Sequence, residues 1–361
     1  MTDPRAVTAY AEQVLRRFED AGADRFDTDT LLPADILLDL YGEEIRARSY
    51  LTGDAARGEL VLRPDFTVPL VQAHMARAGG EARYTYAGPV YRKQDSDPDR
   101  AAEFVQVGFE IMGAREPAEA EAEVFALLRA ALDGLDLRAA TGDIGVLRAA
   151  VTGLRTSRAR QDALLRHLWR PRRFRALLDR FGGRTPVPPT RAALLAQTDP
   201  LAQAPVLSGK RTLAEIEARI AALRADAATP PISGEEIMLL DTILSLRASA
   251  PEALGRLRDI AVDLPAIGEA VTRMAARLDA LDARGIDVDA LDFEGSYGRT
   301  SLEYYDGFVF GFYAGSGDPQ PVATGGRYDA LTARLGDRAV PAVGGVIRPD
   351  LVVALKEAAT C

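Results

Sequence analysis

The sequence predicts an α+β fold in which an antiparallel sheet is flanked by helices and interrupted by a helical insertion. Three observations predict it. Runs rich in β-branched and aromatic residues, bounded by turn signals, fall between residues 60 and 147 and again after Val288. From about Thr152 to Gly285 the chain turns Arg-, Ala- and Leu-rich with helical periodicity, broken at Gly182–Gly183, Pro186 to Pro189 and Pro230–Pro231. The longest strand pattern, residues 83–113, reads as two strands joined by a charged loop, which is an antiparallel connection. The expected organisation is one domain over residues 1–361 with a helical insertion at 152–285, and no fixed repeat period runs through it.

The elements follow in order. Val7, Tyr10, Val14 and Phe18 form one stripe of a helix over residues 5–20, ended by Asp20–Ala21–Gly22. A second apolar segment, Leu31 to Tyr50, takes its helical start from Pro33 and carries Ile36, Leu37, Leu38, Leu40 and Ile45. Leu60 to Leu62 is a short strand running through Arg63–Pro64–Asp65–Phe66–Thr67 into a helix over 68–78. Asp65 and Thr67 thus sit at a strand-to-helix junction, where such residues cap helices or face a ligand. After the central hairpin, Phe125, Leu128 and Leu132 mark a helix over 119–132, and residues 137–147 read as one more strand with its turn. Leu302 to Tyr313 reads as a hairpin about Asp306–Gly307, the favoured two-residue turn pair. Ala323 to Asp329, a helix over 330–335, the strand Ala342 to Ile347 and a terminal helix from Pro349 complete the chain.

The second strand of the central hairpin carries the chemistry. Val105, Val107, Phe109 and Ile111 alternate onto one apolar face, leaving Phe104, Gln106, Gly108, Glu110 and Met112 on the other. Gln106 and Glu110 then lie about 13 Å apart at roughly 3.3 Å per residue. Gly108 between them leaves room for a small molecule on the sheet. An amide and a carboxylate across a gap form either a ligand floor or a polar strand facing solvent.

Bulk properties exclude several classes. The 361 residues are 47% hydrophobic and 27% charged, ordinary for a globular protein. No run approaches a membrane span, and the start MTDPRAVTAY lacks the basic and apolar regions of a secretory signal. One cysteine, Cys361, excludes an internal disulfide and fits a reducing cytoplasm. With only His74 and His167, thiolate and multi-histidine metal sites are excluded, and neither metal nor cofactor is expected. The net charge of −9 argues against nucleic-acid binding. The one basic run, Arg155 to Arg175, reads as an amphipathic helix with a solvated basic face around Leu164, Leu165, Leu168 and Trp169.

Five blocks, in order, resemble the class II aminoacyl-tRNA synthetase core and its histidyl branch in particular. GPVYRKQDSDPDRAAEFVQVGFEIMG resembles motif 2, with Arg92 at the ATP-binding arginine; LRPDFT resembles the loop that holds the α-amino group. SLEYYDGFVF resembles the histidine-specific stretch, and ATGGRYDAL and AVGGVIRPDLVVAL resemble the last two motifs. The departures are specific. Thr300 stands where the branch has an arginine, with Arg299 one residue early and so on the other strand face. Gln94 replaces a glutamate, and Ile347–Arg348–Pro349–Asp350 replaces Gly-Leu-Glu-Arg, so the ATP-gripping arginine is expected to be misplaced or missing. The chain stops at Cys361 with no anticodon-binding domain expected.

A kept histidine floor with degraded adenylation machinery resembles the ATP phosphoribosyltransferase regulatory subunit family, histidyl-synthetase paralogues. That resemblance implies no catalytic residues and a regulatory role in the first step of histidine biosynthesis. It also implies a short-form catalytic subunit as partner in a hetero-octamer of four plus four chains, with free L-histidine as inhibitor. The alternative is a truncated synthetase that adenylates histidine. Carried over, Asp65, Thr67 and Gln106 accept from the ammonium, Arg92 and Gln106 lie near the carboxylate, and Glu110 and Tyr305 hold the imidazole. Tyr304 and Ser301 line the pocket or face the core. Residues 31–50 correspond to the family's dimer-forming motif, which implies self-association as a dimer.

Overall fold

The computed structural model describes residues 2–41, 45–77, 80–94, 100–202, 209–299, 304–315 and 320–360. Its strands, in chain order, are β1 (Asp24–Arg25), β2 (Leu31–Pro33), β3 (Leu51–Asp54), β4 (Gly58–Leu62), β5 (Ala82–Tyr91) and β6 (Glu103–Met112). They continue with β7 (Leu137–Asp143), β8 (Arg247–Ser249), β9 (Asp292–Glu294), β10 (Phe308–Ala314), β11 (Pro321–Arg327) and β12 (Ala342–Ile347). The main sheet runs β1-β5-β6-β12-β11-β10-β7-β9-β8, and β2-β4-β3 forms a small separate sheet. All neighbours from β5 to β7 in that order pair antiparallel, as expected, while β1 on β5 and β9 on β7 are parallel margins.

The hairpin β5–β6 forms over the predicted residues, with Tyr84 opposite Glu110, Tyr86 opposite Gly108 and Gly88 opposite Gln106. Helices cover the apolar face. Asp3 caps the helix Pro4–Asp20 by accepting from the Arg5 N–H at 2.9 Å, and Pro4 presets its first turn. The predicted stripe Val7, Tyr10, Val14 and Phe18 is buried, and Phe18 meets Phe109 at 5.2 Å between ring centroids. Gly22 ends this helix at φ +87°, a left-handed position that favours glycine. The helix Pro117–Ala131 inserts Phe125 among Phe308, Phe310 and Phe312 at 6.4, 5.1 and 5.0 Å.

Four expectations change. Asp306–Gly307 is not a hairpin turn: a type I′ turn needs φ above zero at both central residues, and neither has it. Instead β10 starts at Phe308 and pairs with β11 and β7, while residues 302 and 303 lie outside the described part of the chain. The stretch 137–147 is a strand only to Asp143, whose carboxylate caps the helix Ile144–Thr152 through the Gly145 and Val146 N–H groups at 2.8 and 3.3 Å. The segment from Leu31 opens as β2 before the helix Ala34–Tyr41, because β4 offers a paired edge to Leu31 through Pro33. The basic run divides into helices Arg158–Arg166 and Pro171–Phe181, and Arg160 is buried rather than solvated. Its guanidinium meets Asp226 Oδ1 at 2.7 Å and the Pro230 carbonyl at 2.8 Å.

Most of the described residues between 152 and 285 are helical, the last helix being Gly268–Asp282, but β8 lies within this stretch and joins the main sheet. Arg277 on that helix is 3% exposed and bridges Glu121 and Asp143, each at 2.9 Å. Glu121 also accepts from Arg327 at 3.2 Å, so one buried ion network joins the helix Pro117–Ala131, the end of β7, the end of β11 and the helical stretch. Breaking a buried network of this kind leaves uncompensated charge and is strongly destabilising.

Candidate functional site

The polar face of β6 is buried, not solvated: Gln106 is 3% and Glu110 2% exposed. What covers it comes from four separate stretches. The helix Thr67–Ala76 supplies Thr67, β5 supplies Tyr86, the junction between β11 and the helix Asp329–Leu335 supplies Tyr328, and residues 304–305 supply two more tyrosines. The gap expected above Gly108 is filled. Tyr86, its antiparallel partner, lays its ring over that glycine, where any Cβ would overlap it, and stacks on Phe66 at 4.5 Å. Gly344 plays the same part beneath Glu110, whose Oε2 occupies the place of a Cβ.

Glu110 is the hub. Its Oε1 accepts from the Tyr86 hydroxyl at 2.8 Å and the Thr67 hydroxyl at 3.3 Å, and its Oε2 accepts from the Tyr328 hydroxyl at 2.7 Å. Burial pushes its pKa up to about 7, against the pull of those three hydroxyls and with a further rise from Asp65. A carboxyl poised there can hold or give up a proton near neutrality. Asp65 is likewise raised by burial and drawn back by Arg92. It also serves as a partial cap, accepting from the Val68 N–H at 3.4 Å. Burial likewise raises Tyr86 and Tyr328 well above the usual phenol range, which keeps them neutral donors.

The structure brings most of the expected residues together. Thr67 touches Glu110 directly, and Tyr305 lies within electrostatic reach of Glu110, Asp65 and Arg92. Tyr304 packs edge-on to Tyr305 at 4.8 Å and to Tyr328 at 5.8 Å, so it belongs to the wall of this cluster. Gln106 presents a buried Oε1 with no hydrogen-bond partner among the described residues. Such an acceptor is costly to leave unsatisfied, and a ligand donor would relieve it. Arg92 is half-buried, donating from Nε to the Pro64 carbonyl at 2.8 Å. Thr300 and Ser301 lie outside the described residues.

Two members were not assigned from sequence. Tyr86 was legible only through the register that sets it opposite Gly108, and Tyr328 only as part of GGRYD, with no pattern marking its hydroxyl for Glu110. The two arginines expected to be lost or shifted behave differently. Arg299 donates to the Leu168 carbonyl at 2.8 Å and lies over Phe174, held by the helical stretch. Arg348 keeps a place at the site's edge: its guanidinium lies 3.9 Å above the Phe104 ring, which Arg92 approaches at 5.6 Å, and its charge pairs with Asp350 at 2.5 Å.

Among the described residues no group of three or more His, Cys, Asp or Glu is placed to hold a metal ion, and no helix is long and apolar enough to cross a membrane.

This sheet with its carboxylate-and-hydroxyl floor has a family. The histidyl-tRNA synthetase family matches residues 2–352, and the chain belongs to it. Within it, the chain belongs with the ATP phosphoribosyltransferase regulatory subunits. The protein of that name from Mesorhizobium japonicum is 30% identical over 97% of this chain and 98% of its own length. The one from Agrobacterium fabrum is 31% identical over 96% of both. Among solved structures, a histidine–tRNA ligase subunit from Alicyclobacillus acidocaldarius is similar with TM-score 0.62 at 25% identity, covering 100% of this chain and 97% of that one. An ATP phosphoribosyltransferase regulatory subunit/histidyl-tRNA synthetase from Bacillus halodurans shares the fold with TM-score 0.69 at 24% identity, over 98% of this chain and 81% of that one. The relatives named here from Mesorhizobium and Agrobacterium are regulatory subunits, not catalytic ones.

Proposed function

We propose that this chain is a non-catalytic regulatory subunit that a short-form ATP phosphoribosyltransferase catalytic subunit requires for activity, and that free L-histidine bound on the Glu110 floor inhibits the assembly. The observation that carries this reading is the end-to-end match to curated regulatory subunits, which leaves no large part of either chain unaccounted for. The site supplies the ligand chemistry. Asp65, Thr67 and the open Gln106 Oε1 accept from an ammonium, Arg92 and Gln106 meet a carboxylate, and Glu110 with Tyr305 meets the ring. Tyr86 and Tyr328 hold Glu110 in place for that contact. The assembly we propose is a cytoplasmic hetero-octamer of four plus four chains, built on a dimer of this chain through residues 31–50. Histidine acts by binding one state of that assembly more tightly than the other.

A second reading, a histidine-adenylating enzyme, draws on Arg348 and Arg92 flanking Phe104 at the site's edge. Against it, Arg299 is held at Leu168 and Arg348 is neutralised by Asp350. Two measurements decide. Light scattering of the chain mixed with a short-form catalytic subunit yields a joint particle under the first reading and separate particles under the second. Histidine-dependent exchange of pyrophosphate into ATP by the chain alone is absent under the first and present under the second.

A further inference from the structure

Residues 304–307 carry Tyr304 and Tyr305 yet belong to no strand, so something other than a ladder must fix them. Asp306 does. Its N–H donates to the Arg327 carbonyl at 2.9 Å, and its carboxylate accepts the N–H of Asp329 at 3.2 Å and of Ala330 at 2.6 Å. The three bonds straddle Tyr328, whose hydroxyl is on Glu110. Gly307 completes the clasp: its carbonyl accepts from the Ile144 N–H at 2.9 Å, and a Cβ on it would sit 2.8 Å from Arg327 Cδ. On the far side Tyr305 packs against Gly326, where a Cβ would be 2.8 Å from its Cδ1.

The neighbouring carboxylates have other work. Glu121, Asp143 and Asp329 each take an arginine, from Arg277 or Arg327. Among the described residues, the hydrogen bonds of the Asp306 carboxylate go to backbone N–H groups alone, and every one of them ties the Tyr305 stretch to the Tyr328 stretch. An ionised acceptor on backbone N–H groups makes a strong, directional bond. We propose that Asp306 is a positioning residue for ligand recognition: it sets Tyr305 over the floor beside Glu110 by clasping residues 304–307 to the start of the helix Asp329–Leu335. This rests on the reading that Glu110 and Tyr305 receive a histidine ring.

The test is a double-mutant cycle with a spectroscopic arm, using the full chain. By calorimetry, Asp306→Ala weakens L-histidine binding about tenfold, Asp306→Asn about threefold, and Tyr305→Phe about fivefold. The double variant Asp306→Ala with Tyr305→Phe stays within about twofold of Asp306→Ala alone, because one residue acts through the other; independent sites would instead multiply to about fiftyfold. With 3-fluorotyrosine incorporated, the Tyr305 resonance, assigned by its loss in Tyr305→Phe, shifts in Asp306→Asn, which preserves the side-chain shape. Multiplying losses, or a fluorine resonance that does not move, overturn the proposal. A wild-type chain that binds no histidine while the resonance still shifts leaves the clasp standing and takes down its role in recognition together with the proposed function.

Discussion

Glu110→Gln separates the two things Glu110 does. The substitution keeps the shape over Gly344 and removes only the charge. In the folded chain the Glu110 pKa is about 7 against 4.5 when unperturbed, so the native state binds more protons than the unfolded state between those values. Stability therefore falls as pH rises through that window, by about 3 kcal/mol once the carboxylate is fully ionised. Glutamine carries no such dependence. Thermal unfolding of the two proteins should coincide near pH 4 and diverge up to pH 8, with Glu110→Gln the more stable. Histidine binding should move the other way. A hydrogen bond to an ionised carboxylate contributes roughly 1.5–3 kcal/mol and a neutral one roughly 0.5–1.5, so calorimetry at pH 8 should show affinity lower by about tenfold. A variant that binds histidine as tightly as wild type, or unfolds below it at pH 8, refutes this account of the floor.

Three further outcomes follow from the same geometry. Histidine affinity of the wild type should peak near pH 6.5 to 7, because the ligand ring titrates at about 6.5 and Glu110 at about 7, and the pair binds best sharing one proton; Glu110→Gln should flatten the alkaline limb in a calorimetric pH series. Gly344→Ala places a methyl where Glu110 Oε2 lies, so the carboxylate must swing off the floor; histidine affinity should fall at least tenfold, and adding the shorter Glu110→Asp should recover part of the folding stability, the methyl still lying 2.9 Å from the Phe109 carbonyl oxygen, without recovering affinity. Arg277→Met leaves the buried Asp143 without its arginine and Glu121 with Arg327 alone, and should lower the urea-unfolding free energy by about 3–5 kcal/mol, whereas a loss under 1 kcal/mol would show that water reaches those carboxylates.

The elements legible in the sequence were those whose pattern is local. The stripe of the first helix and the alternation of β6 announce themselves in periods of 3.6 or two. The margins of the sheet did not. Two- and three-residue strands such as β1 and β8 are strands because a neighbour offers paired backbone groups, and no sequence period is long enough to show it. Asp306–Gly307 misled for a related reason: the pair carries the composition of a turn, yet its carboxylate is satisfied by the backbone of Asp329 and Ala330, more than twenty residues away. The site divides along the same line. Gln106 and Glu110 follow from alternation alone, but the Tyr86 ring over Gly108 and the Tyr328 hydroxyl on Glu110 depend on register and on chain order in the sheet. Arg348 shows the converse, since a motif that departs in sequence still delivers its guanidinium to Phe104.

The proposed regulation of a partner through the Glu110 floor can be read in one assay. Phosphoribosyl transfer from phosphoribosyl pyrophosphate to ATP by a short-form catalytic subunit would be followed with and without this chain, titrating L-histidine against wild type and Glu110→Gln. The chain should switch the transferase on, histidine should switch the wild-type assembly off, and Glu110→Gln should still activate while histidine inhibition shifts to about tenfold higher concentration. A transferase indifferent to the chain, or equally inhibited with Glu110→Gln, would contradict it.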